Sequence, residues 1–100
     1  MDRIFHVAVP EKWASVSGGQ YEHASLAAEG FIHCSFADQL DGVLSRYFSN
    51  VGEVTILEID PAKLTSKLVI EPSTNGERFP HIYGPIDLDA VVATETRKLR

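Results

Sequence analysis

Phe31-Ile32-His33-Cys34 runs straight into Ser35-Phe36-Ala37-Asp38-Gln39-Leu40, and the change of period at Ser35 decides how the chain folds. Ahead of Ser35 a short run of apolar, β-prone residues has the pattern of a strand. Beyond it Phe36, Leu40, Val43, Leu44, Tyr47 and Phe48 recur at helical spacing, which predicts a long helix with one stripe turned inward. Ser35 is the expected N-cap, and Asp38 three residues on suits the positive end of the helix.

Working outward from this junction, Arg3 to Val9 reads as a first strand, and Pro10 fits the first position of a helix. Trp13 and Val16 share the buried side of that helix, and Gly18-Gly19 stop it. Ser25 is placed to cap a brief helical turn through Glu29, closed by Gly30. Downstream, Val54 to Asp60 and Lys67 to Glu71 are strands ended by Pro61 and Pro72. Ser73 to Gly76 is a loop by composition, Phe79 to Tyr83 a short extended piece, and Ala90 to Leu99 the closing strand. Strands and helices do not alternate regularly. The expected class is therefore α+β in one domain, a small mixed, mostly antiparallel sheet with two main helices.

The chain has 100 residues and a formal charge of -5, which argues against bulk attraction to nucleic acid and leaves room for a local basic site. Cys34 is the single cysteine, so no disulfide forms within the chain, as suits a reducing cytosol. The opening residues Met1 to His6 lack the apolar run of a signal peptide, and no segment approaches a membrane span. The expected location is cytoplasmic. Nothing in the pattern sets an oligomeric state.

Side chains on a strand alternate faces, so Ile4, His6 and Ala8 share one side, Phe31 and His33 another, and His81 and Tyr83 a third. A histidine within an apolar strand must find partners for both ring nitrogens, and three such residues converging would make a polar pocket. His33 and Ser35, beside the first N–H groups of the expected helix, suggest a phosphate or carboxylate site. The plainer reading has Ser35 only capping the helix and the histidines only bonding to backbone. His23 follows no strand pattern and reads as exposed. Glu58 interrupts an apolar strand, and Glu71 and Glu77 flank a loop; each is a candidate base or ribose contact and equally a surface charge. Cys34 facing the core is a small hydrophobe rather than a nucleophile. No metal-ligand spacing is present, and His33 and Cys34, adjacent on a strand, face opposite ways.

Phe5-His6-Val7 with Trp13, Ser25-Leu26-Ala27-Ala28-Glu29-Gly30-Phe31-Ile32-His33-Cys34-Ser35 with Gln39, Leu57-Glu58-Ile59-Asp60-Pro61, and Phe79-Pro80-His81-Ile82-Tyr83-Gly84-Pro85 together resemble the bacterial family catalogued as domain of unknown function 952. That resemblance implies membership of the ADP-ribosyltransferase-like fold group, with a split β-sheet and a cleft for NAD or an ADP-ribose phosphate. The group includes RNA 2′-phosphotransferases, which makes an RNA end a further candidate ligand. By the same analogy His6 becomes the ribose or phosphate contact, with His33 and Ser35 as the second element. The family's transferase glutamate has no secure counterpart among Glu58, Glu71 and Glu77. Arg78 is the nearest match for the phosphotransferase arginines.

The expected function is binding of NAD, ADP-ribose or a related phosphate-bearing nucleotide, with ADP-ribosyl or phosphoryl transfer as the chemistry if there is turnover. His33 and His6 are the catalytic candidates, and Ser35, His81, Tyr83 and Glu58 the ligand-binding ones. Two other readings stand beside it: a non-catalytic module binding a metabolite or a protein, and a hydrolase holding a metal through the three histidines.

Overall fold

A computed structural model of the chain describes residues 2–73 and 76–99. Nine strands and three short α-helices are found among these residues. Strands β1 (Ile4–Ala8), β4 (Ser35–Phe36), β5 (Glu53–Ile59) and β9 (Val91–Lys98) form a four-stranded sheet in the order β4-β1-β5-β9. Strands β3 (Ile32–His33), β7 (Arg78–Tyr83) and β6 (Lys67–Pro72) form a second sheet in that order, and β2 (Gln20–Tyr21) pairs with β8 (Ile86–Asp87). Among the described residues every pairing is antiparallel, so the expected α+β class is seen without the parallel pairs that a mixed sheet would have.

The four-stranded sheet has a core on each side, and the alternation along β1 sorts its residues between them. Phe5 and Val7 point toward helix α3 (Leu40–Tyr47), where Val7, Leu40, Leu44, Val54 and Ile56 pack with Phe48. Ile4 and Ala8 point the other way, into the larger core with Tyr21, Ile32, Cys34, Leu57, Ile59, Ile82, Ile86 and Ala90. Ile32 and Ile82 face each other across β3 and β7 with no exposed surface; burying such a side chain contributes about 1.5–3 kcal/mol. Chain 32–36 crosses from one sheet to the other, with Cys34 at the step.

The expected long helix from Ser35 is shorter, and the reason is local. Ser35 pairs with Phe5 as part of a strand, and a 3-10 turn over Ala37–Gln39 precedes α3. Gln39 takes the capping work: its Oε1 accepts from the Phe36 N–H at 2.9 Å, and its Nε2 donates to the Arg78 carbonyl at 2.7 Å. Tyr47, expected in the buried stripe, is exposed at the last residue of the helix, whereas Phe48 just beyond it packs on the core. Helix α1 (Pro10–Ala14) begins at Pro10 as read, and Trp13 and Val16 pack on the larger core. In α2 (Ala24–Glu29) the cap is His23 rather than Ser25. Pro80 sits in the central strand β7, yet its carbonyl accepts from the Cys34 N–H at 3.0 Å. A strand residue's N–H and C=O point the same way, so its missing donor faces the place where β3 has ended. Of the expected 73–76 loop, Thr74 and Asn75 lie outside the described residues.

Candidate functional site

The four histidines gather at the meeting of α2, β1 and the outer face of the three-stranded sheet. His6 is buried; its Nδ1 lies 2.8 Å from the His33 carbonyl and its Nε2 lies 3.2 Å from the Tyr21 hydroxyl. A carbonyl only accepts, so Nδ1 carries the proton and donates, and Tyr21 O–H donates to Nε2. Burial, followed by the neighbouring charges of His23 and His33, pushes the His6 pKa down to about 4 against the raising effect of its backbone bond. Burial also pushes the Tyr21 phenol up to about 12, so the donor stays protonated. His6 is a neutral strut between β3 and β2, with both nitrogens used inside the fold.

His23 faces the His6 ring edge-on at 5.1 Å. Its Nδ1 accepts the Ser25 N–H at 3.0 Å and so caps α2, while the Ser25 hydroxyl donates to the Phe31 carbonyl at 2.9 Å. The cap needs an unprotonated Nδ1; burial first, then the charge of His33, lower the His23 pKa. Gly30 ends α2 in the left-handed region at φ 89°, which turns Phe31 onto the sheet. The reading of His23 as an exposed bystander missed this cap. The signal was present in His23-x-Ser25 ahead of the short apolar run, although histidine is not a usual cap residue.

On the outer sheet face His33 pairs with His81, their rings edge-on at 5.3 Å. Each ring is held by its own carboxylate. His33 Nε2–H donates to Glu29 at 2.9 Å, and His81 Nδ1–H donates to Glu71 at 2.8 Å. Tyr83 O–H donates to the same Glu71 oxygen. That hydroxyl first, and His81 second, hold the Glu71 carboxyl below the usual carboxylate range, while Glu71 in turn raises Tyr83. Phe31 stacks on His81 at 4.2 Å and 18°, and contacts His33 at 4.8 Å and Tyr83 at 5.4 Å. The His33 side chain is 53% exposed and that of Glu29 51%, whereas His81 is 11%.

The strand faces place His33, His81 and Tyr83 together, with His6 reaching them through the His33 carbonyl. Ser35 and Glu58 are elsewhere. Both stand opposite Phe5, on the α3 side of the four-stranded sheet, because Phe5 points away from His6. Glu58 makes an ion pair there with Arg3 at 3.4 Å. Ser35, buried in a strand, does not complete an anion site with His33. The surface depression holding Glu58 is lined by Asp2, Arg3, Phe5, Phe36, Ala37 and Asp38, without a histidine. Glu29, Glu71 and Phe31 complete the cluster instead. Among the described residues no three His, Cys, Asp or Glu side chains are grouped to hold a metal ion. Cys34 is buried, and burial pushes its thiol up, away from the thiolate. No helix among the described residues is long and apolar enough to cross a membrane.

Three solved structures resemble the chain. The crystal structure of protein CC0527 from Caulobacter crescentus is 28% identical with a TM-score of 0.83, covering 94% of this chain and 84% of that one. A double methionine variant of it gives 27% and 0.83 over the same shares. The solution structure of CC0527 gives 29% and 0.79, over 95% and 84%. No curated protein matches. The model of the family described as "Protein of unknown function (DUF952)" matches residues 7–94, and the chain belongs to that family.

Proposed function

We infer that the outer face of the three-stranded sheet binds a NAD-type dinucleotide by its positively charged pyridinium end. The observation that carries this reading is an aromatic wall of Phe31, His81 and Tyr83 flanked by the carboxylates Glu29 and Glu71. A flat cation gains from ring faces and from fixed negative charge together. Lys67, opposite Tyr83, offsets one carboxylate and leaves the face anionic. Carboxylates also accept from ribose hydroxyls, whereas they disfavour a phosphate at the same spot. The phosphates of the ligand, and a phosphorylated RNA end, are therefore less suited to this face than the ribose–pyridinium portion.

Of the three glutamates the sequence left open, Glu71 is the one beside the histidines, and it serves here as the ribose and cation contact. His33, oriented by Glu29, is the exposed base. In ADP-ribosyl transfer the ribose–nicotinamide bond breaks with its electron pair leaving on the ring nitrogen. An acceptor oxygen bonds to the same carbon, and His33 takes its proton. His6 acts through His33, fixing its backbone.

The test is titration of labelled protein with oxidised NAD, reduced NAD and ADP-ribose. Oxidised NAD is expected to bind about tenfold more tightly than the reduced form, whose ring is neutral. Its shifts should centre on His33, His81 and Tyr83, and Phe31→Leu should remove most of the preference. Equal affinity for the two redox forms would sink the reading. Binding without a transfer or hydrolysis product would leave a binding module and remove the catalytic part.

A further inference from the structure

Strand β9 lies at the outer edge of the four-stranded sheet, bonded to β5 on one side. Val92 to Thr96 are all exposed, on both faces of the strand. Strand β6, one edge of the three-stranded sheet, carries Lys67 and Pro72 at its two ends, a common guard against pairing. Strand β9 has no proline and is rich in β-branched residues, Val91, Val92, Thr94 and Thr96.

Its charges are arranged so that one register suits a second copy. Glu95 and Arg97 stand opposite Ile56 and Val54, on the α3 side, and Arg97 already bonds Glu95 at 2.8 Å and 3.1 Å and approaches Asp41 at 3.5 Å. We propose that β9 pairs antiparallel with β9 of a second copy about a twofold axis through Thr96, perpendicular to the sheet. This axis sets Glu95 of each copy directly opposite Arg97 of the other, a square of four alternating charges. It also sets Thr96 against Thr96 and Thr94 against Lys98, pairs that tolerate one another well. Moving the axis to Glu95 brings two carboxylates face to face, and moving it to Thr94 leaves Glu95 against Ala93. The perpendicular axis keeps both α3 helices on one side of a continuous eight-stranded sheet.

The experiment is the molar mass of the whole chain by sedimentation, at low salt and up to millimolar concentration. The expected mass is twice that of one chain, falling to one chain in Glu95→Arg and in Arg97→Glu. The double exchange E95R/R97E restores complementarity in this register and should return the dimer. A wild-type chain that stays monomeric throughout overturns the proposal, and shows the charges guarding the edge. So does a dimer indifferent to the single exchanges, or a folded double variant, checked by circular dichroism, that remains monomeric.

Discussion

Lowering the pH from 6.5 to 4 is expected to remove about 3 kcal/mol of folding stability, and His6 is the reason. The folded chain holds His6 neutral down to about 4, because the buried ring has no room for a second proton: Nδ1–H is committed to the His33 carbonyl and Nε2 accepts from Tyr21. The unfolded chain takes up a proton near the ordinary value of 6.5. Between those two values the unfolded state binds more protons, so stability rises with pH across the window and is lost as pH falls through it. His23, lowered by burial, acts in the same direction, and its protonation removes the cap on α2. Glu71, Asp87 and Glu95 are held below the usual carboxylate range, so their share of stability disappears only at lower pH. Urea unfolding in pH steps reads the slope directly. His6→Gln should be less stable at neutral pH and show a markedly flatter slope from 6.5 to 4. An unchanged slope in that variant would remove His6 as the cause.

Much of the sheet was legible in the residues because strands declare themselves by alternation and by prolines at their ends. The segments at 4–8, 53–59, 67–72, 78–83 and 91–98 all fall within a residue or two of their expected bounds. The helix at 35–48 was misjudged for a physical reason. A serine before an apolar periodic run is the usual cap, but here Ser35 is consumed by pairing with Phe5, a contact between distant parts of the chain. Only then does Gln39 take over the turn, tying it to Arg78. Local propensity yields to a tertiary bond, which no window of sequence displays.

The site divides in the same way. Alternation put His33 with Phe31 and His81 with Tyr83, and the structure joins the two pairs across β3 and β7. Alternation also separates Glu58 and Ser35 from His6, but only once the pairings Phe5↔Glu58 and Phe5↔Ser35 are known. Glu71 reaches His81 across one strand pairing, and Glu29 reaches His33 around the Gly30 turn. Both depend on register and turn geometry, so Glu71 was one of three candidates that alternation could not choose between, and Glu29 was not among them. They are also why the proposed ligand presents a cation to this face rather than a phosphate.

Replacing Gly84 is expected to be the most damaging single methyl addition near this face. At Gly84 φ is +157°, and an added Cβ would run into Ser66 Oγ and lie 2.9 Å from Ser66 Cβ. Ser66 cannot swing aside freely, since its hydroxyl donates to the Pro85 carbonyl at 2.7 Å. Backbone strain of roughly 1–3 kcal/mol adds to about 1 kcal/mol for the lost hydrogen bond. Gly84→Ala should therefore cost about 3 kcal/mol and lower Tm by more than ~10 °C. Gly84 follows Tyr83 directly, so the displaced strand end would also loosen the Tyr83 hydroxyl from Glu71 and weaken any ligand held there. Ser66→Ala in the Gly84→Ala background removes only the nearer atom. Ser66→Gly removes both, but it restores neither the hydrogen bond nor a relaxed backbone, so most of the loss should persist. Thermal unfolding of the four chains decides it. A Gly84→Ala chain as stable as the parent would mean that the Ser66–Pro85 contact yields easily, and that this turn does not hold Tyr83 in place.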